Sequence, residues 1–390
     1  MTATAARILT LSDPDVYTAS APVVEWRKDH WSVTWLGGDG GWTERYPAPR
    51  SIPTRRAEAR LHVTEISAQG ALRPRSIAHS GNGAELIQGR PAKVALFAAN
   101  ARQGSDLLES CAFSIVDTDT LKVSAVHHFA CPIAGARAAV APIADSDDWL
   151  VAFSTSYTSM VGDVMLGRYR PGETGFRAGP WTVAAQRQHG FISIGALGED
   201  AWLAWPEAGR TSYARIAGVA RQAVSANADE PVIGTASTLI STARYTFAST
   251  EQGAQLLYTS TSAVQSDLLE SELPEPESSF ELVQTQVSTG TSSGVKLAAL
   301  RIPDRAVTAV CYRQTTPNVQ DAGAISLLLL DDMGRRVGEP LPVSDLALPE
   351  ECALAWSGSA LLVTWWERDI PNTGSAYSMI RARIMDLPSQ

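Results

Sequence analysis

The sequence predicts an all-β protein made of seven copies of one four-stranded antiparallel unit, and three observations predict it. Short apolar runs rich in Val, Ile, Leu, Tyr and Trp alternate with Gly, Asp, Asn and Pro punctuation, while helical periodicity is scarce. One strand recurs at near-equal spacing along all 390 residues. The last unit lacks a fourth strand, and a matching segment stands near residue 10.

The recurring strand is apolar and closes on an aromatic residue. It reads WSVTW to Trp35, KVALF to Phe97, WLVAF to Phe153, AWLAW to Trp205, QLLY to Tyr258, AVCY to Tyr312 and LLVTW to Trp365. The return from Trp365 through Gln390 to Trp35 spans 60 residues, close to the other intervals, so the phasing is circular. Asp29, Asp148, Asp200, Gly253, Asp304 and Gly358 precede these strands, where a hairpin needs turn-tolerant residues; the acids among them are expected to be structural. A second set of turns is expected around Gly70, Thr118, Gly172 to Gly175, Gly218, Pro274 and Gly334. The aromatics sit at the ends of apolar strands, so they are expected to pack between units rather than to serve as stacking platforms.

The seventh unit ends on its third strand, IRARIM from Ile380 to Met385. LTLSD at Leu9 to Asp13 matches the LPVSD that finishes the sixth unit at Leu341 to Asp345. The early segment is therefore expected to pair with Ile380 to Met385, tying a ring shut and removing a sheet edge. With four strands per unit and this closure, the whole chain resembles a seven-bladed β-propeller of WD-repeat-like architecture. The blades are expected at 20–78, 79–130, 131–186, 187–227, 228–289, 290–346, and 347–390 joined by 6–13, in one domain over 1–390. No Trp-Asp dipeptide follows the repeated strands and no S-x-D-x-G-x-x-W box occurs, so the resemblance is to the architecture and not to one family.

The net charge of −9 argues against nucleic acid as a partner. The charge is uneven. Asp229, Glu230, Glu251, Asp267, Glu270, Glu272, Glu275, Glu277 and Glu281 stand against Arg244 alone, whereas Arg45, Arg50, Arg55, Arg56 and Arg60 crowd one early segment. No apolar run approaches the roughly 18 residues of a membrane helix and no signal-like start is seen, which predicts a cytoplasmic protein without membrane insertion. Cys111, Cys131, Cys311 and Cys352 have no metal-type spacing and are expected to be buried thiols.

Connections between strands two and three, and between successive units, share one face, where a ligand is expected. The longest, from Leu36 to about Ala57, holds Trp42, Arg45, Tyr46, Arg50, Arg55 and Arg56, an aromatic and guanidinium surface suited to an anionic or planar group. Tyr157 and Trp366, just past their strands, extend the partner-binding surface. His79, His128 and His189 lie near the same face, but they stand 18, 25 and 16 residues before their marker aromatics, which argues against a symmetrical metal cage. No metal or cofactor is expected. The G-x-S-x-G match at Gly290 to Gly294 lies between strands, not at the strand-to-helix turn of a nucleophile elbow.

Two functions follow. The favoured one is a non-enzymatic recognition or scaffold propeller that binds a protein or glycan partner through its loop face, or self-associates. The alternative is a lyase, cyclase or hydrolase with a pocket at the channel mouth, using His79, His128, His189, Arg137, Arg187 and Arg313 as acid, base and anion-holding groups.

Overall fold

The computed structural model describes residues 8–12, 22–38, 59–79, 84–90, 92–103, 106–130, 138–144, 146–155, 161–188, 192–197, 199–207, 210–220, 232–234, 237–240, 244–249, 253–259, 264–270, 297–315, 323–332, 335–345, 348–369 and 377–387. Apart from one 3-10 turn at Pro303–Arg305, the regular structure among them is β-strand, folded as blades of a β-propeller. β1 (Ile8–Thr10) precedes the first blade, which is β2 (Val23–Trp26), β3 (His30–Gly38), β4 (Ala59–Ser67) and β5 (Leu72–His79). The next comprises β6 (Ala84–Arg90), β7 (Lys93–Gln103), β8 (Asp106–Asp117), β9 (Lys122–Val123) and β10 (His127–Ala130). It is followed by β11 (Ala138–Pro142), β12 (Trp149–Ser154), β13 (Val161–Tyr169) and β14 (Phe176–Gln188).

A further blade holds β15 (Ser193–Leu197), β16 (Asp200–Glu207), β17 (Arg210–Ala217), β18 (Val232–Ile233) and β19 (Ser237–Ile240). A three-stranded sheet contains β20 (Arg244–Ser249), β21 (Gly253–Thr259) and β22 (Val264–Glu270). The last two are β23 (Ala298–Ile302), β24 (Val307–Thr315), β25 (Gly323–Leu330) and β26 (Leu341–Pro342), then β27 (Leu348–Trp356), β28 (Leu361–Asp369) and β29 (Tyr377–Met385) with β1 on its outer edge.

Complete four-stranded blades therefore number six among the described residues, where the sequence predicts seven. The shortfall lies in the β20–β22 sheet, whose chain continues into residues 271–296, outside the described set. Each recurring aromatic strand, β3, β7, β12, β16, β21, β24 and β28, is the second strand of its sheet, as the repeat requires. Strands β18 and β19 come after residue 227, beyond the expected limit of their blade; the stretch before them carries few apolar residues, which hid them.

The chain divides into two compact units. One comprises Met1–Gly81, Gly290–Leu330 and Arg336–Gln390; the other comprises Asn82–Thr289 and Asp331–Arg335. In the first, the core between β2–β5 and β27–β29 joins Val24, Trp31, Val33, Trp35 and Ile66 to Ala353, Ala355, Leu362, Ile380 and Ala382. A second core joins β23–β26 to β27–β29 through Ile302, Ala309, Leu327, Leu354, Val363 and Trp365. In the other unit, Leu150, Leu166, Leu203, Trp205 and Ile216 pack adjoining blades together. Trp35, Phe153, Trp205, Tyr312 and Trp365 are all buried, in keeping with packing between blades; the side chains of Phe97 and Tyr258 are outside the described set.

Close packing of the sheets leaves some positions without room for a Cβ. At Gly167 of β13 a Cβ would stand 2.5 Å from the ring of Phe176, which lies on the paired strand β14 and stacks on Phe153. Gly358 has φ +90° in the tight β27–β28 hairpin, closed by Ser357 N donating to Ala360 O, so its turn needs a residue free of Cβ strain.

β1 pairs antiparallel with β29, setting Ile8, Leu9 and Thr10 opposite Arg383, Ala382 and Arg381. Leu11 N donates to Ile380 O, and Ile380 N donates to Ser12 Oγ at 2.9 Å. The expected strand exchange is thus present, with a hydroxyl clasp beyond the ladder.

Cys311 of β24 and Cys352 of β27 form a disulfide with a Cα–Cα distance of 6.4 Å, which corrects the expectation of thiols. Their separation of 41 residues gave no clue, because the second strand of one blade and the first of the next meet only in the fold. Of the other pair, Cys111 lies on β8 opposite Phe129, its side chain outside the described set like the whole of Cys131. A crosslink enclosing this loop stabilises chiefly by restricting the unfolded chain. Replacing Cys352 by Ala is expected to lower unfolding free energy by about 2–4 kcal/mol. Urea denaturation of wild type and variant, each with and without reductant, checks it: reductant destabilises the wild type more than the variant.

Candidate functional site

The turn acids come first, since their chemistry decides whether they are available. Asp148 is fully buried ahead of β12 and takes Arg168 Nε on Oδ2 at 2.6 Å, and Arg170 Nε and Arg177 Nη1 on Oδ1 at 2.5 and 3.4 Å. Burial alone would raise its pKa, but hydrogen bonds from Arg170 and Arg168 outweigh it and hold the carboxyl below the ordinary value of 3.8. Asp200 repeats the clamp at the first position of β16, accepting from Arg215 Nε at 2.8 Å and Gly218 N at 2.8 Å. Asp304 accepts from Trp356 Nε1 at 2.9 Å, tying one blade to the next. These acids fasten hairpins and seams, as their turn positions suggested. Asp29 is largely exposed beside His30 Nδ1 at 2.7 Å.

Histidine 127 is buried at the start of β10. Its Nδ1 donates to Thr174 O at 2.7 Å, and its ring stacks on Tyr169 and meets Phe176 edge-on. Burial holds its pKa below the ordinary value against the opposing bond to Thr174. It serves the β13–β14 turn and not the opposite, loop-bearing end of the blade. Among the described residues no three metal-ligating side chains converge.

Of the residues proposed from sequence, three have described side chains. His128 is half-buried on β10 opposite Ala112; Arg313 is buried on β24 opposite Ile325; Trp366 is half-buried on β28 between Glu351 and Ile380 and packs on the Trp31–Trp35 core. His79 and Arg187 lie on β5 and β14, with side chains outside the described set. Trp42, Arg45, Tyr46, Arg50, Arg55, Arg56, Arg137, Tyr157, His189 and the Gly290 to Gly294 motif all lie outside the described residues.

A cavity of about 240 Å³ opens at the seam between β1 and the β2–β5 blade, lined by Leu11, Ser12, Trp35, His62, Thr64, Pro74 and Arg75. Pairing of β3 with β4 sets Trp35 opposite His62 and Val33 opposite Thr64, so alternation brings Trp35, His62 and Thr64 to one face. Trp35 and His62 stack at 5.2 Å with planes 7° apart. Trp35 Nε1 and Thr64 Oγ1, on residues 2% and 1% exposed, have no hydrogen-bond partner among the described residues. Arg75 pairs with Glu65 at 2.9 Å, a carboxylate that Arg73 also approaches at 3.6 Å. The wall thus combines an aromatic pair, hydroxyls, an indole N–H and an ion-paired guanidinium. Sequence reasoning treated Trp35 as core alone and passed over His62 and Thr64; they lie beyond the long 39–58 connection, so no local spacing tied them to Trp35.

No family model and no curated protein matches the chain. Solved structures of similar shape include the β-propeller domain of the Trilobed protease from Pyrococcus furiosus, at 10% identity over 96% of this chain and 98% of that one, TM-score 0.47. The Dos1 propeller is similar at 9% identity over 97% and 94%, TM-score 0.46. Puromycin hydrolase is similar at 14% identity over 95% of this chain and 55% of its own, TM-score 0.48.

The Asp148 clamp gives a pH signature. Because its pKa is depressed on folding, its contribution is complete above the unfolded value of 3.8 and is lost as pH falls through the folded value. Asp148→Asn strands buried Arg168 and is expected to cost about 3 kcal/mol at neutral pH, with a smaller difference from wild type in acid. Urea midpoints from pH 7 down to pH 3 check both.

Proposed function

We propose that this protein is a non-enzymatic recognition propeller for a glycan or protein partner, and that the cavity beside β1 takes a small neutral polar group of that partner, such as a sugar ring. The observation that carries the reading is the cavity's lining: an aromatic pair for an apolar ring face, with Thr64 Oγ1 and Trp35 Nε1 beside it lacking a hydrogen-bond partner among the described residues. Buried polar groups without partners cost stability, of order 1–3 kcal/mol each, and a ligand that pairs with these two at the cavity would offset that cost. The volume of about 240 Å³ suits one ring better than a drug-sized ligand, whose pockets start at about 300 Å³.

Trp42, Arg45, Tyr46, Arg50, Arg55, Arg56, Tyr157 and Trp366, expected from sequence to meet the partner, remain candidates for that contact. The turn acids support a binding role over a catalytic one, because Asp148 and Asp200 are engaged by arginine. The Cys311–Cys352 disulfide favours an oxidising compartment over the cytoplasm as the place of action. No helix among the described residues is long and apolar enough to cross a membrane.

Thr64→Val separates binding from folding. Removing that buried hydroxyl at constant shape is expected to leave stability unchanged or raise it by about 1 kcal/mol, while weakening the partner about tenfold. A glycan array identifies the ligand, calorimetry of wild type, Thr64→Val and Trp35→Phe measures it, and a melt follows stability. Wild-type affinity in both variants would remove the cavity from the reading, and chemical turnover of the bound glycan would replace recognition by catalysis.

A further inference from the structure

The geometry points to a second site, independent of the seam cavity: the β11–β12 and β13–β14 turns bind an oxyanion, sulfate or phosphate, through Arg170 and Arg177. The inference starts from two blades that solve the same problem. Asp148 immediately precedes the second strand of its sheet and Asp200 opens the second strand of another, and each is engaged by an arginine on the third strand. Arg168 pairs in register with Leu150 and Arg215 with Trp202, in both cases the residue two after the aspartate. In the Asp200 clamp one guanidinium and the Gly218 N–H complete the carboxylate, and one positive charge meets one negative charge. That is all the hairpin requires.

The Asp148 clamp carries two arginines more. Arg168, 1% exposed, fills the role of Arg215; Arg170 and Arg177 crowd the same carboxylate from outside, with side chains 39% and 32% exposed. Three guanidiniums bring about fifteen N–H donors to a carboxylate that accepts about four. Donors are therefore left over at the surface, on two like charges converging on one oxygen.

Asp147, 69% exposed and 3.4 Å from Lys93 Nζ, and Glu173, whose N–H donates to Arg170 O in the same turn, both attract Arg170 electrostatically. Arg168, Arg170 and Arg177 face Asp147, Asp148 and Glu173, and Lys93 faces Asp117 as well as Asp147, so the cluster is close to neutral; what it offers an oxyanion is the unused N–H groups of Arg170 and Arg177 rather than net charge. Two adjacent, partly exposed guanidiniums anchored by a buried carboxylate are preorganised for bidentate capture of an oxyanion. The site is at the opposite end of the blade from the 155–161 connection, so it can be filled whatever occupies the loop face.

Titration of the full chain with sodium sulfate, sodium phosphate and sodium acetate, at ionic strength held constant with chloride, tests the site by calorimetry and by the side-chain Nε–Hε resonances of arginine. Saturable binding of sulfate or phosphate is expected, with acetate weaker. Arg177→Gln is expected to weaken it by about tenfold and Arg177→Lys by less, because lysine keeps the charge and loses the fork. The melting temperature of Arg177→Gln in chloride should match wild type, since the Asp148–Arg168 pair remains. Absence of saturable binding overturns the site, as does binding that Arg177→Gln and Arg170→Gln leave unchanged. Preference between sulfate and phosphate tells which ester a partner would present. Loss of this binding leaves the seam-cavity reading untouched, and failure of Thr64→Val to affect a glycan leaves this one untouched.

Discussion

Burial of both faces of each central strand is the constraint on which the described structure depends. β12 is buried at every position from Trp149 to Ser154, and β24 is buried from Val307 through Arg313. A strand packed on both sides has no polar face to leave in water, so neighbouring blades must supply apolar partners on each side. The cores between blades are that requirement made concrete. Large aromatics fill the inter-blade gap where the second strands end, and Gly195 of β15, whose Cβ would lie 2.9 Å from Phe247 of β20, marks where two layers touch with nothing between them.

The same constraint sorts the polar groups. Anything charged inside such a stack needs a partner that arrives with it, and the turn aspartates meet that need by gripping an arginine two residues along the register. Asp148 and Asp200 thereby convert the weakest part of a hairpin, its turn, into a fixed point. The surplus guanidiniums of the first and the Thr64 hydroxyl beside the cavity are two places where local satisfaction is incomplete, and both lie at openings.

Much of the architecture was legible because its signal is local and repeated. An apolar strand ending on an aromatic, preceded by a turn residue, located the second strand of every sheet, and the likeness of LTLSD to LPVSD located β1. The fourth strand of the β15–β19 blade was missed because short outer strands bury little and carry weak patterning. The disulfide and the cavity were invisible for a different reason. Cys311 meets Cys352, and Leu11 approaches Trp35, through packing of one blade on another, and no spacing within a repeat encodes that. Of the residues singled out as a site, His128, Arg313 and Trp366 lie on strands and are at least half-buried, whereas the groups that line the cavity carry no motif.

The pairing of β1 with β29 also sets a timetable for synthesis. Ser12 Oγ receives the amide of Ile380, 368 residues later, so the outer edge of that sheet cannot be completed until β29 has been made. Closing so long a loop adds little entropy cost over a shorter one, since the penalty grows only logarithmically, yet the contact must wait for its partner. During translation the residues of β1 are consequently an unoccupied strand, and β29, once made, offers a free edge that a strand from another molecule can fill. The cavity wall contributed by Leu11 and Ser12 is fixed in place at that step, so the shape of the cavity depends on β29 having met β1.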